Sequence, residues 1–191
     1  LYQKVNYSDG PHGQFNQTGN TEVRVAAKYR LWAEESHGIA LVTSVNLNRI
    51  QDNPYTGVDS KPIYNIELAA DQHFGPLALG ANIGYRHRTP GDAIASAAPI
   101  VPMKSQYIGS LAASYYVSPL DSKIICEIYG SRPVVDEQNY ASRMGSSTEA
   151  LLGIKYDINS NVSTHVGGGS EVGHGQSSAA WRSYVGMNYA F

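Results

Sequence analysis

The chain has 191 residues, a formal net charge of -2 and 16% charged residues, well under the roughly 25% usual for a soluble domain. Its apolar fraction is only 42%, its mean hydropathy is -0.30, and its aromatic residues are 14 Tyr against 3 Phe and 2 Trp, with 19 Gly. A lone cysteine, Cys126, excludes a disulfide scaffold and a cysteine-based zinc site; near-zero net charge gives no nucleic-acid footprint, and no stretch reaches the ~18 apolar residues of a transmembrane helix.

The length suits one domain over 1–191. No export signal opens the chain at Leu1, so it reads as a mature form or part of something longer. Hydrophobicity alternates with a period of two, and no segment carries a capped helical stripe. The pattern predicts about ten strands, near 1–7, 21–33, 37–49, 61–72, 76–89, 104–117, 122–132, 147–157, 162–173 and 180–191. In the second, Val23, Val25, Ala27, Tyr29 and Leu31 share one face, while Arg24, Ala26, Lys28 and Arg30 share the other. In the third, Ile39, Leu41, Thr43, Val45 and Leu47 oppose Ala40, Ser44 and Asn46. Later strands repeat the scheme: Tyr64, Ile66 and Leu68 oppose Asn65 and Glu67; Leu79, Ile83 and Tyr85 oppose Gly80, Gly84 and Arg86; Val185, Met187 and Tyr189 oppose Arg182, Tyr184 and Gly186.

The connections alternate in length. Tight turns with Gly, Pro, Asn, Ser or Asp are expected at 34–36, 72–75, 118–121 and 158–161. Long polar loops fall at 8–20, 49–60, 88–103 and 133–146, with a shorter one at 175–179. Short turns at one end and long loops at the other are the pattern of an outer-membrane barrel, with the long loops outside the cell. Strands of about ten residues fit a tilted membrane crossing. The polar faces hold small residues such as Ala26, Ser44, Gly80, Gly84, Gly153 and Gly167, as a crowded lumen requires. Tyr7, Tyr29, Tyr64, Tyr85, Tyr107, Tyr115, Tyr156 and Tyr189, with Trp32 and Trp181, lie near strand ends, where interfacial girdles form. The expectation is an all-β, transmembrane, antiparallel up-and-down β-barrel of about ten strands.

The last residues, Gly186, Met187, Asn188, Tyr189, Ala190 and Phe191, resemble the C-terminal assembly signal of outer-membrane barrels in Gly186, Tyr189 and Phe191, although Val185 stands where a polar residue is usual. Thr21 to Trp32, Ala81 to Arg88, Glu149 to Tyr156 and His165 to Phe191 resemble the transmembrane-barrel domain of OmpA-family proteins. The resemblance implies the bacterial outer membrane, contact with its lipid, handling by the barrel assembly machinery, and twelve strands if a further N-terminal pair precedes these. Family members often carry a peptidoglycan-binding domain after the barrel, which these 191 residues do not include.

The expected lumen-facing residues are Arg24, Lys28, Arg30, Glu67, Asp71, Arg86, Arg88, Glu127, Glu149, Lys155, Asp157, His165, Glu171 and Arg182. Mixed signs in a narrow barrel point first to a network of paired charges and a structural or adaptor role with a narrow or plugged lumen. The alternative is a small-solute, porin-like channel; a soluble ligand-binding barrel is more distant. No enzymatic chemistry is expected. Ser163 and His165 share a face, but period-two spacing makes such pairs by chance, and Gly167 to Gly169 precede no helix, so they form no phosphate loop. His73 and His87 lack metal-ligand spacing, so neither a metal nor a cofactor is expected. The apolar loop 93–103 is expected to pack over the barrel mouth, with a protein partner at the external loops as the alternative.

Overall fold

Alternation of period two becomes one large antiparallel sheet. The computed structural model describes residues 2–4, 7–9, 13–15, 18–20, 22–48, 61–89, 91, 102–134, 146–173 and 178–189. Four short strands come first: β1 (Tyr2–Lys4), β2 (Tyr7–Asp9), β3 (Gly13–Phe15) and β4 (Thr18–Asn20). Nine longer strands follow: β5 (Glu22–Ala33), β6 (His37–Asn48), β7 (Ile63–Phe74), β8 (Leu77–His87), β9 (Gln106–Val117), β10 (Ser122–Pro133), β11 (Ser147–Asp157), β12 (Val162–Gly173) and β13 (Trp181–Tyr189). Among the described residues, helix is confined to a 3₁₀ turn at Ser118–Leu120.

The nine long strands pair strictly in chain order, each antiparallel to the next. The sheet is up-and-down, with β5 and β13 as its two edges, and it does not close into a barrel. The expected strand at 1–7 is corrected. Tyr2–Lys4 pairs with Thr18–Asn20 and Tyr7–Asp9 with Gly13–Phe15, apart from the large sheet. Local pairing explains this: it closes a loop of a dozen or so residues, whereas a ladder to β13 must span the width of the whole sheet. The sheet therefore has nine strands rather than ten.

The connections sort by end as expected. At one end the turns are tight. Gly75 takes φ +60°, the left-handed value that a two-residue hairpin loop demands at its first central position, and Pro76 follows. Asp121 is also left-handed at φ 44°, and its carboxylate accepts from the Tyr116 hydroxyl at 2.9 Å. The Asn159 side chain accepts from the backbone N–H groups of Asn161 (2.9 Å) and Val162 (2.8 Å), an Asx-type turn into β12. Most of the interiors of the long loops expected at 49–60, 88–103 and 133–146, and the assembly-signal residue Phe191, lie outside the described residues.

Burial shows which face is inside. The buried residues are Ala40, Ser44, Ile63, Asn65, Gln106, Glu149, Gly153 and Ser163 within the strands, all on the face that carries the charges. The opposite face exposes Val25, Tyr29, Ile83, Leu111, Leu152, Val166, Val185 and Met187 at 58–80%. The sheet thus curls with its polar face inward. Within the described strands only Ala40 and Ile63 are buried apolar side chains, so these strands form no ordinary apolar core.

Small residues make the inward curl possible. The Tyr184 ring on β13 lies over Gly167 of β12 and Gly153 of β11, which are register partners; a Cβ at either glycine would collide with the tyrosine hydroxyl. Across the same strands the His165 ring covers Gly186 in the same way. Adding one methyl by Gly153→Ala is expected to cost about 1–2 kcal/mol through displacement of Tyr184. The cost should shrink when Tyr184→Ala is combined with it. Urea unfolding of the four proteins in the cycle measures this; strict additivity would show that the ring does not depend on the glycine.

Candidate functional site on the inner face

Register assigns faces residue by residue. Outward on β5 are Val23, Val25, Ala27 and Tyr29; inward are Arg24, Ala26, Lys28 and Arg30. A bulge between Arg30 and Trp32 leaves Leu31 as the extra residue and sets Trp32 outward opposite Ile39, so the simple alternation expected up to Leu31 breaks there. From β6 to β13 the pairings carry the same face across: Glu67 opposite Gly84, Arg86 opposite Gln106, Glu127 opposite Leu151, Lys155 opposite His165, and Glu149 opposite Tyr129 and Glu171. Arg24, Lys28, Arg30, Glu67, Asp71, Arg86, Glu127, Glu149, Lys155, Asp157, His165, Glu171 and Arg182 therefore all share the inner face. Arg88 lies just past the end of β8, where its Nη1 is 3.4 Å from the Met103 sulfur. Met103 belongs to the apolar loop expected over the mouth, and Pro102 beside it is buried.

On the outer face of the described strands, Arg132 is the single Asp, Glu, Lys or Arg. It sits opposite Tyr107, at the long-loop end. The outer aromatics form two bands. Tyr64, Tyr85, Tyr107 and Trp181 ring the long-loop end; Tyr29, Trp32, Phe74, Tyr115, Tyr156 and Tyr189 ring the tight-turn end. Tyr85 and Tyr107 meet edge to face, with centroids 6.0 Å apart. Tyr7 belongs to the separate short strands.

A belt of hydrogen bonds crosses the inner face near the long-loop end. Asn65 Nδ2 donates to Ser44 Oγ (2.9 Å) and Asn46 Oδ1 (3.1 Å), and Arg86 Nε donates to Asn65 Oδ1 (2.9 Å). Gln106 Nε2 donates to Ser131 Oγ at 3.3 Å, and Ser131 reaches the Ser147 hydroxyl at 3.2 Å. The belt ends on Glu149, which is 2% exposed. Its carboxylate accepts from the Tyr129 hydroxyl (2.5 Å), Arg182 Nε (3.0 Å) and Nη2 (3.3 Å), and the Ala179 N–H (3.1 Å). Those four donors offset the cost of holding a carboxylate away from water. The Ala179 bond also ties the last long-end connection to the wall.

Elsewhere the inner charges pair more loosely: Arg24 with Glu67 at 3.7 Å, and Lys155 with Asp157 at 3.5 Å. Charge-based reading of the sequence missed several inner residues. Lys123 faces Lys155 in register, the neutral Tyr129, Asn65 and Gln106 carry much of the bonding, and Tyr184 packs against the His165 ring. It also missed apolar inner residues, because Val42, Ile63, Ile108, Ile125 and Leu151 interrupt the polar face. Their parity in the sequence was the available signal.

His37 and His73 lie at strand ends beside Glu34 and Asp71, at 3.5 Å each, and no group of three metal-ligating side chains occurs among the described residues. Ser163 and His165 share the inner face, where His165 Nδ1 lies 3.3 Å from Asn188 Nδ2. Of the assembly-signal residues, Gly186 faces inward under His165, and Tyr189 faces outward and is exposed. Comparison with protein-family models and with curated proteins gives no match to this chain.

Glu149→Ala strips the acceptor from Arg182, Tyr129 and Ala179 together. It is expected to destabilise by about 3 kcal/mol. Arg182→Ala should cost less, since that side chain is about half exposed, and the double variant should cost less than the sum. Denaturant midpoints of the cycle decide this; an Arg182→Ala loss equal to or above that of Glu149→Ala would move the centre of the network away from the carboxylate.

Proposed function

We propose that this chain is an integral outer-membrane β-barrel protein with a structural or adaptor role and a narrow or plugged polar lumen. One observation carries the reading. Charges of both signs crowd the inner face, while the outer face of the described strands is mostly apolar and carries no Asp, Glu, Lys or Arg except Arg132 at its rim. A soluble up-and-down barrel, as in the ligand-binding alternative, has the opposite polarity. Each exposed Val, Leu or Ile left in water forgoes about 1.5–3 kcal/mol of burial. An apolar surround removes that loss for the whole face at once. The outer aromatic bands stand where lipid head groups would meet the chain. Strands of about ten residues, rising ~3.3 Å each and tilted by ~40°, span the ~25 Å apolar band of such a membrane.

Parity restricts how such a sheet could close. In a nine-stranded antiparallel sheet, β5 and β13 run in the same direction. Only an odd number of added strands can pair antiparallel with both. One strand N-terminal to β5 gives ten and three give twelve, both even, as single-chain barrels of bacterial outer membranes require. The C-terminal resemblance supports handling by the barrel assembly machinery and location in the bacterial outer membrane. The long-loop end then faces outward, where a protein partner can meet the loops.

The plugged lumen is preferred to the porin-like channel because the inner charges bond to each other and to inner amides and hydroxyls, and because Val42, Ile125 and Leu151 interrupt any charged path. A barrel of ten strands is also closer to the side-chain-filled eight-stranded type than to open sixteen-stranded porins, and one of twelve lies midway.

Two measurements test the reading. The refolded chain is expected to stay monodisperse only with detergent or lipid; a monodisperse, detergent-free species in sedimentation runs overturns the membrane assignment. In planar bilayers, conductance is expected to be absent or small. A large, stable conductance whose ion preference changes with Arg86→Ala or Glu127→Ala would replace the plugged lumen with the channel.

A further inference from the structure

The two edges of the sheet differ in charge. On the inner face of β5 stand Arg24, Lys28 and Arg30, and Glu22, the one acid of the strand, opens it at the far end from Arg30. The strand beside them, β6, contains no Asp, Glu, Lys or Arg. Arg24 reaches across it to Glu67 on β7 at 3.7 Å. Among the described residues no carboxylate stands within ion-pair distance of Lys28 or Arg30. Glu34, in the turn after β5, pairs with His37, and Asp71 lies beside His73. On β13 the single inner cation, Arg182, is already held by Glu149. Unmatched positive charge therefore collects at one margin, along the side of β5 where no strand pairs.

We propose that the strand lying against β5 in the closed barrel carries carboxylates on its inner face, level with Lys28 and Arg30. The inference rests on the membrane reading above and gives the chemistry of the strand that reading requires. Closure draws water away from Lys28 and Arg30 on the lumen side. An ammonium and a guanidinium stay charged there only with counter-charges close by. Because β6 supplies none, they come from the neighbour on the other side. Opposite charges directly across an antiparallel pair attract and like charges repel, so the same two residues also select the register of the incoming strand. Its outward residues are apolar, to continue the face of Val23, Val25 and Tyr29.

The residues 2–20 are not that strand. Their described parts pair with one another in a single register, from Tyr2 opposite Asn20 to Asp9 opposite Gly13. Such a hairpin counts as two strands, and an even number cannot pair antiparallel with both edges. Residues 1–20 also hold one acid, Asp9. The hairpin instead aims the occupant. Tyr2 and Asn20 lie side by side, and β5 begins two residues after Asn20. A strand of the same chain that enters the hairpin at Tyr2 is thereby delivered along β5, antiparallel to it, and this is the occupant. A second copy fits less well. Its β5 would set Arg24, Lys28 and Arg30 against the same three cations and turn the two long-loop ends to opposite sides of a membrane. Its β13 holds no Asp or Glu and runs parallel to β5 when the copies share one orientation.

The full chain, refolded in a neutral detergent, is titrated with fluorescent strand peptides of about the length of β5. Valines alternate with glutamines, and two neighbouring inward positions are both Glu, both Gln or both Lys. One outward valine is replaced by a photoreactive phenylalanine. By fluorescence anisotropy the Glu peptide is expected to bind about tenfold more tightly than the Gln peptide, as two ion pairs of ordinary strength supply, and the Lys peptide more weakly than either. Lys28→Gln combined with Arg30→Gln should abolish the difference between the Glu and Gln peptides. Lys28→Glu combined with Arg30→Glu should reverse the order, so that the Lys peptide binds best. Photocrosslinks of the Glu peptide should fall on β5, with or without β13.

Equal binding of the Glu and Lys peptides, a Glu preference unchanged in the glutamine variant, crosslinks confined to β13 or wild-type dimers joined at β5 would each overturn the proposal. If the chain requires detergent but shows no preference that depends on Lys28 and Arg30, the acidic strand alone fails. If it is monodisperse without detergent, the membrane reading fails, whatever the peptides do. Lys28 and Arg30 are exposed at the margin of the sheet, so the glutamine variant keeps the fold, and the test stands even if the charge-reversed variant does not refold.

Discussion

Everything else in this molecule depends on one segregation: in nine consecutive strands, charged side chains other than Arg132 are kept to one face of the pleat. Because successive residues of a strand point to opposite faces, a slip of one residue between neighbours would carry Arg86 or Glu149 to the apolar side and Ile83 or Leu152 to the inside. Register is therefore held by charge as strongly as by hydrophobic burial. The ladders carry the same face from Arg24 to Arg182 without an exchange, and the two bulges, at Arg30/Trp32 and Thr148/Glu149, fall near strand ends rather than in mid-strand.

A face with so many polar groups turned inward must satisfy them without a surrounding core. It does so by short lateral bonds that run across strands. Asn65 bridges β6 and β8, Ser131 bridges β9 and β11, and Glu149 draws together β10, β11 and β13. These bonds lie near the long-loop end. Towards the middle, packing takes over: the tip of the Tyr184 ring reaches over Gly167 and Gly153. A glycine in a strand lacks a side chain to pack, and a neighbouring ring supplies the missing contact. Part of the abundance of Gly and Tyr is explained here: tyrosines face outward in two bands, and the inward Tyr184 has glycines beneath it.

Strand order, the placement of turns and the face of nearly every charge were legible in the sequence, because period-two patterning and turn chemistry are local. Val23 to Tyr29, Tyr64 to Leu68 and Val185 to Tyr189 each declare their faces within a few residues. What was not legible depended on contacts distant along the chain. The residues 2–20 were read as strand and loop, yet their described parts pair with one another; nothing local distinguishes a strand that joins a sheet from one that folds back. The bulge at Leu31 was hidden because Tyr29, Leu31 and Trp32 are all apolar. The central part of Glu149 could not be read either. Its sequence neighbours, Thr148 and Ala150, give no hint of donors that arrive from Tyr129, Ala179 and Arg182.

The two unpaired edges bring these points together. β5 and β13 each present a row of backbone N–H and C=O groups with no strand beside them in the sheet, and such an edge is a liability in water and worse in an apolar medium, where nothing else can bond those groups. The outer side chains of both edges are as apolar as those of the interior strands, and Arg24, Lys28, Arg30 and Arg182 keep their charges on the inner face to the very margin. A sheet meant to end in water would blunt its edges with outward Lys, Pro or a bulge in mid-strand. These edges carry the full two-faced pattern instead, as strands with a neighbour on each side do. On the proposed reading the neighbour is a further strand of the same barrel, and it must meet a polar interior and an apolar exterior already laid out on both sides of the gap.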